Sequence, residues 1–183
     1  MAKCVTQKHY KSAILTSLSL VTGASSGLGR ETVNLVLKKG EIVVATARKL
    51  EALDDLKNQF SASQFLAVKL NVNNAQEIKD AFAQAKAAFG RIDVVFNNAG
   101  SSAMGEAEAI PDTIAREIFE TNFWGAANVS KEAVRFFREE NTPSGGFLIN
   151  TSSFSGISAV PGMGYPSASK HGMSRFNGSL RIN

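Results

Sequence analysis

The residues whose types and spacing are best suited to chemistry form one run, Thr22-Gly23-Ala24-Ser25-Ser26-Gly27-Leu28-Gly29, set between an apolar stretch and a helical pattern. Glycines in such a turn let the backbone approach a pyrophosphate, and the free N–H groups and dipole of the following helix favour negative charge. A strand-to-helix turn needs glycine for backbone reasons too; the strand before and the helix after favour the phosphate reading. A second chemical group is Arg48, in Ala45-Thr46-Ala47-Arg48. A carboxylate there would hydrogen-bond ribose hydroxyls and repel a 2′-phosphate, whereas a guanidinium makes charge-assisted bonds to that phosphate. Together these features predict NADP(H) over NAD(H), against the plainer reading of Arg48 as a solvated surface charge. Cys4 is the only cysteine, which excludes an internal disulfide and a thiolate metal cluster; no metal site is predicted.

To position these groups the chain must supply parallel strands joined by crossover helices, and the apolar period switches accordingly between short β-rich runs and longer helical patterns. Strands are predicted within Leu15 to Val21 and at Glu41 to Ala47, Phe65 to Leu70, Val94 to Phe96 and Phe147 to Asn150. Helices are predicted from Leu28 to Lys38, around Glu51 to Gln59, from Ala75 to Phe89 and from Ile114 into Phe136-Phe137, with Phe119, Phe123 and Val134 facing the core. Ser167 to Ile182 has helical propensity. The fold class is α/β, a doubly wound parallel sheet of Rossmann type in three layers, with ligands beyond the carboxyl ends of the strands.

The 183 residues, 44% of them hydrophobic, are enough for one core and too few for two. A single dinucleotide-binding domain over 1–183 is therefore expected, with residues 1–12 a poorly ordered lead-in. The formal charge of +4 is spread along the chain and matched by acids such as Glu31, Asp54 and Glu132, which argues against a nucleic-acid surface. Ile14 to Val21 is apolar but far short of a membrane span and lacks a cleavage site, so it reads as a buried strand and no membrane partner is predicted. With one cysteine the default compartment is cytoplasmic.

Thr22-Gly-x-x-x-Gly-x-Gly29, Asn97-Asn98-Ala99-Gly100, Asn122 in Thr-Asn-Phe, and Ser152-Ser153 after the fifth strand occur in one order and spacing. The set resembles the classical short-chain dehydrogenase/reductase family, from about Leu20 to about Leu180. The resemblance implies that Thr22, Gly23, Ser25, Ser26, Gly27, Leu28 and Gly29 hold the pyrophosphate side of NADP(H). It places Asn98, Ala99 and Gly100 on the adenosine and ribose side, with Asn71 and Val72 framing the adenine. The family often has Asp where Asn71 stands. The implied reaction is reversible hydride transfer between the nicotinamide and a small-molecule carbonyl or secondary alcohol. In it a tyrosine moves the proton, a lysine lowers the tyrosine pKa and holds the nicotinamide ribose, a serine binds the substrate oxygen and an asparagine organises the proton-relay water. Asn122, Ser153 and Lys170 match three of these roles.

The tyrosine does not match. Counting back four residues from Lys170, and forward from Ser153 by the family's spacing, both lead to Pro166. Tyr165 is the neighbour; a helical rotation of about 100° per residue aims it away from the Lys170 face. The residue before a proline is pushed toward an extended conformation, which leaves Tyr165 the candidate substitute acid. The family also continues past this helix through further strands and a substrate-covering segment, so C-terminal strands are expected to be missing and a sheet edge exposed. The leading reading is an NADP-dependent oxidoreductase with activity impaired by Pro166 and truncation. The alternative is a non-catalytic NADP-binding or interaction protein of the same fold. Family members commonly pair through helices equivalent to Ile114 to Arg138 and Pro166 to Arg181, which makes a homo-oligomer an expectation from the resemblance.

Overall fold

The computed structural model describes residues 17–180; the lead-in expected at residues 1–12 and the start of the first strand at Leu15 lie outside them. Five strands form one sheet in the order β3-β2-β1-β4-β5: β1 Leu18–Val21, β2 Ile42–Ala47, β3 Phe65–Lys69, β4 Val94–Asn97 and β5 Phe147–Asn150. Every pairing is parallel. The strands are short and rich in valine, isoleucine and leucine, as suits a sheet covered on both faces.

The helices are α1 Gly27–Lys38, α2 Asp54–Gln59, α3 Ala75–Phe89, α4 Asp112–Phe119, α5 Ala126–Glu139 and α6 Gly164–Ser179. One face of the sheet closes a core in which Leu20, Val44, Val68 and Val95 meet Ile78 and Phe82 of α3 and Val129 and Phe136 of α5. On the other face Val21, Val43 and Ala45 pack with Val33 and Leu37 of α1 and with Leu53 and Leu56. Asn74 caps α3 by accepting N–H bonds from Gln76 and Glu77, and Gly90, at φ 85°, ends it. Such caps define where helices begin and stop.

Two expectations are corrected in detail. The helix from Ile114 to Phe137 is two helices joined by a π-helical turn, Glu120–Gly125, and of its three core-facing residues only Val134 is buried, Phe119 and Phe123 being half-buried. The helical stretch around Glu51 to Gln59 begins as a 3₁₀ turn, Leu50–Leu53. Reversal of strand order on either side of β1 puts β1 and β4 side by side at the centre, and a crevice opens beyond their carboxyl ends.

Candidate active site

The glycine turn is built by close backbone approach. Gly23 has φ +67°, and a Cβ there would lie 2.9 Å from Ala99 Cα; a Cβ on Gly29 would lie 2.4 Å from the Gly23 carbonyl oxygen. Neither position admits a side chain. Gly27, at φ +55°, has open space where a Cβ would be, so its backbone conformation and not crowding is what asks for glycine there. Ser26 is the N-cap of α1 without a side-chain capping bond, and the first turn of α1 holds no acid. The helix N-terminus therefore offers N–H groups and positive potential with nothing of its own to neutralise them.

Thr22 is fully buried. Its Oγ1 accepts the N–H groups of Asn98 at 2.9 Å and Ala99 at 3.0 Å, so it lies behind the turn and clamps the end of β4 to the end of β1. Asn98 Nδ2 in turn donates to the Thr22 carbonyl at 3.1 Å. Asn97 Oδ1 accepts the Thr22 hydroxyl at 3.3 Å, and its buried Nδ2 donates to Ala126 O at 2.8 Å and to Asn150 Oδ1 at 2.7 Å. These bonds join paired positions on β4 and β5 to α5.

A cleft of about 530 Å³ runs from Gly23, Ser25 and Ser26 past Arg48 to Asn71 and Val72, with Asn98, Ala99 and Gly100 on its floor. Its size and concavity suit a nucleotide. The glycine cradle, the uncapped helix and the Arg48 wall fit the phosphates of a dinucleotide, and the polar rim at Asn71 fits a base. Leu28 projects from α1 with 61% of its surface exposed. Glu117 and Thr121, which the sequence pattern does not single out, also line the cleft.

Beyond the cleft floor, Asn122 sits in the π-helical turn and is buried. Its Oδ1 accepts Ser101 N–H at 2.9 Å, and its Nδ2 donates to Ser101 O at 2.9 Å and Ser169 Oγ at 3.1 Å. One amide thus ties the Gly100-Ser101 loop to α6. Lys170 Nζ donates to Thr151 O at 2.8 Å and lies 3.9 Å from where a Cβ on Gly100 would be. Burial pushes the Lys170 ammonium below the ordinary lysine range. Ser153, which caps a short 3₁₀ turn, Phe154–Gly156, accepts bonds from Ser155 N at 3.2 Å and Ser155 Oγ at 3.0 Å. Its own hydroxyl proton is left for another acceptor.

Asn122, Ser153 and Lys170 therefore come from the central turn, the end of β5 and α6. Tyr165 lies elsewhere. Its ring lines a separate groove with Arg116, Phe119, Glu120 and Trp124, and its hydroxyl is 3.4 Å from Ala107 O. Pro166 is buried in the first turn of α6, where its missing N–H breaks no helical bond. Thr151 and Ser169, which hold Lys170 and Asn122, are not singled out by the sequence. Polar residues just past a strand end or in a helix turn carry no periodic signal of their own.

The model of the family described as short chain dehydrogenase matches residues 18–183. The chain belongs to that family. It is 35% identical over 164 residues to the oxidoreductase calM of Penicillium decumbens, covering 87% of this chain and 53% of that protein. It is 29% identical to the NADPH-dependent 1-acyldihydroxyacetone phosphate reductase of Saccharomyces cerevisiae, covering 90% of this chain and 55% of the other. Among solved structures, a short-chain dehydrogenase from Streptomyces avermitilis superposes with a TM-score of 0.83 at 33% identity, over 92% of this chain and 61% of that one. The chain thus spans about half the length of the curated relatives it matches. No helix among the described residues is long and apolar enough to cross a membrane.

Proposed function

We propose that this chain is the dinucleotide-binding part of an NADP(H)-dependent oxidoreductase acting on a carbonyl or secondary alcohol. The observation that carries the reading is Arg48 on the wall of the same cleft as the glycine cradle, at the end of β2 where an NAD-preferring site would have an acid. The NADPH-dependent yeast relative adds support. When bound, the nicotinamide supplies or takes the hydride. Gly23 to Gly29 and the α1 N-terminus hold the phosphates, Arg48 the 2′-phosphate, and Asn98 to Gly100 the sugar side. Lys170, anchored on Thr151, reaches the nicotinamide ribose. Ser153 donates to the substrate oxygen with the proton that its bonds from Ser155 leave free, and Asn122 holds the loop at Ser101 in register with α6.

Proton transfer is the weak step. Pro166 has no ionisable group, and Tyr165 is bonded to Ala107 on another surface, so turnover rests on water or on another donor. Met104, Phe154 and Ile157 are more than 70% exposed, and the loops bearing Met104 and Ile157 are joined by a 2.8 Å bond from Gly105 N to Gly162 O. These side chains favour a carbonyl compound with an apolar arm.

The test is calorimetric titration of the purified chain with NADPH and NADH, with carbonyl reduction assayed in parallel. Arg48 is expected to favour NADPH by roughly 10-fold or more, the value of one charge-assisted hydrogen bond. Equal affinities would refute the NADP assignment; NADPH binding with no turnover even in Pro166→Tyr would make the chain a binding protein.

A further inference from the structure

Helix α6 carries Lys170, yet it buries few hydrocarbon side chains. Its buried residues are Pro166, Ser167, Ser169 and Met173, so beyond the first turn Met173 is the one apolar member. A helix ordinarily docks through an apolar stripe. Here polar side chains take over part of that task, and they meet the chain where it leaves β5.

Three consecutive residues at that exit each bond one residue of α6. Asn150 Nδ2 donates to Asn177 Oδ1 at 3.0 Å, Thr151 O accepts from Lys170 Nζ at 2.8 Å, and Ser152 Oγ lies 3.3 Å from Ser174 Oγ. Residues 170, 174 and 177 stand at i, i+4 and i+7, which is one face of a helix with 3.6 residues per turn. Ser174 gives its own proton to the Lys170 carbonyl at 2.9 Å, which makes Ser152 the donor of the middle bond.

The polarity of the Asn150–Asn177 bond is fixed from the core outward. Asn97 Nδ2 faces Ala126 O at 2.8 Å; a backbone carbonyl only accepts, so that atom is the amide nitrogen. The Asn150 atom 2.7 Å from it is then the oxygen. The outer atom of Asn150 is the nitrogen, and Asn177 meets it with an oxygen. Since Asn97 Oδ1 also accepts the Thr22 hydroxyl, one row of side chains runs from the glycine turn through Asn97 and Asn150 to α6.

We infer that Asn177 is a positioning residue for Lys170, fixing α6 against the exit of β5 so that the ammonium stands where the cofactor needs it. The inference rests on the cofactor reading above, in which Lys170 reaches the nicotinamide ribose, and deepens it. A lysine has a flexible four-carbon stem, so the place of its ammonium depends on where the helix beneath it is held. Asn122 holds the N-terminal half of α6 through Ser169 Oγ at 3.1 Å. Asn177 lies two turns beyond Lys170, roughly 10 Å along the axis, and keeps the C-terminal half from swinging about that point. Its effect on the cofactor therefore passes through Lys170.

The experiment is a double-mutant cycle read by calorimetric NADPH binding to the wild-type chain, Asn177→Ala, Lys170→Met and the double variant. Asn177→Ala is expected to weaken binding ~5-fold in the wild-type chain, about one neutral hydrogen bond. With Lys170 already replaced by methionine it should change binding by less than ~2-fold, because residues that act through one another are not additive. Asn177→Asp keeps an oxygen toward Asn150 and adds a charge that salt largely screens from the cofactor, so it should stay within ~2-fold of wild type. Urea unfolding establishes that the variants are folded; Asn177→Ser, too short to reach Asn150, replaces Asn177→Ala if that chain does not fold. No loss in Asn177→Ala, equal losses in the two backgrounds, or a loss in Asn177→Asp as large as in Asn177→Ala would each overturn the inference while leaving the cofactor reading intact. If the wild type does not bind NADPH, or Lys170→Met binds it as tightly as the wild type, the cofactor reading of Lys170 falls and this inference with it.

Discussion

The two ends of the molecule are held in different ways. Around β1, α1 and β2 the cofactor end is specified many times over: Gly23 and Gly29 have no room for a side chain, Thr22 clamps two N–H groups, and the surrounding strands are buried on both faces. At β5 and α6 the arrangement hangs on single side chains. Lys170 rests on one carbonyl, Ser153 on Ser155, and the position one helical turn before Lys170 holds Pro166. Backbone-built function is hard to lose by drift in side chains. Side-chain chemistry disappears with one substitution.

The largest expected effect therefore lies at the catalytic end. Pro166→Tyr restores a phenol one turn from Lys170 on the same helix face and should raise carbonyl reduction by about 10²-fold or more, the usual contribution of a placed general acid. NADPH affinity should stay within a few-fold. Steady-state kinetics with NADPH check both numbers. A variant that binds NADPH and remains as slow as the wild type would show that the catalytic end lacks more than its acid.

The cofactor end breaks in the opposite manner, through the backbone. In Gly29→Ala the new methyl group would sit 2.4 Å from Gly23 O and 2.6 Å from Asn98 Nδ2, so the turn must open. The cost in stability is about 1–3 kcal/mol, typical of overpacking, with NADPH affinity falling by at least the same factor. Urea unfolding and calorimetry measure the two. Unchanged affinity would mean that the close approach of turn and helix is not what shapes the phosphate cradle.

A smaller effect separates Lys170 from the solvated lysines. Burial lowers its pKa in the folded chain and not in the unfolded one, so between the two values the unfolded state binds more protons and stability rises with pH. The contribution is complete above the unfolded lysine value and lost as pH falls through the lowered folded one. Wild type should accordingly gain on Lys170→Met between pH 7 and pH 10 in urea unfolding. A difference between the two proteins that does not vary with pH would sink this account of Lys170.

How much of this is legible in the sequence follows the same division. The Ala75–Phe89 helix and the β5 strand agree residue for residue with their sequence patterns, the helix because it buries one apolar stripe between a capping Asn74 and Gly90, the strand because it is a short β-rich run. The α4–α5 region reads as one helix in the sequence, since the π-helical turn Glu120–Gly125 continues the helix with no proline to mark it and differs from an α-helix only in its backbone bonding. The glycine turn and Arg48 are legible because their chemistry depends on residue type and strand-end position. Whether Tyr165 faces Lys170 is not, because one residue of offset on a helix decides it and the contact with Ala107 comes from a loop 58 positions away in the chain.

The smallest effect is expected where β5 meets solvent. Phe147 and Ile149 are 71% and 51% exposed, whereas Leu20, in the middle of the same sheet, has no exposed surface. Both kinds of position are apolar in a parallel strand, so sequence pattern alone ranks them together; burial ranks them apart. Phe147→Ser removes little buried area, and its N–H remains bonded to Asp93 O at 2.8 Å, so its stability should stay within about 0.5 kcal/mol of wild type. Leu20→Ala leaves a cavity between α3, α5 and the sheet and should cost about 2–5 kcal/mol. Chemical unfolding of the pair compares the edge with the centre directly. A loss at Phe147 approaching that at Leu20 would mean that this edge is covered in solution and that the catalytic end is more completely built than its single side chains imply.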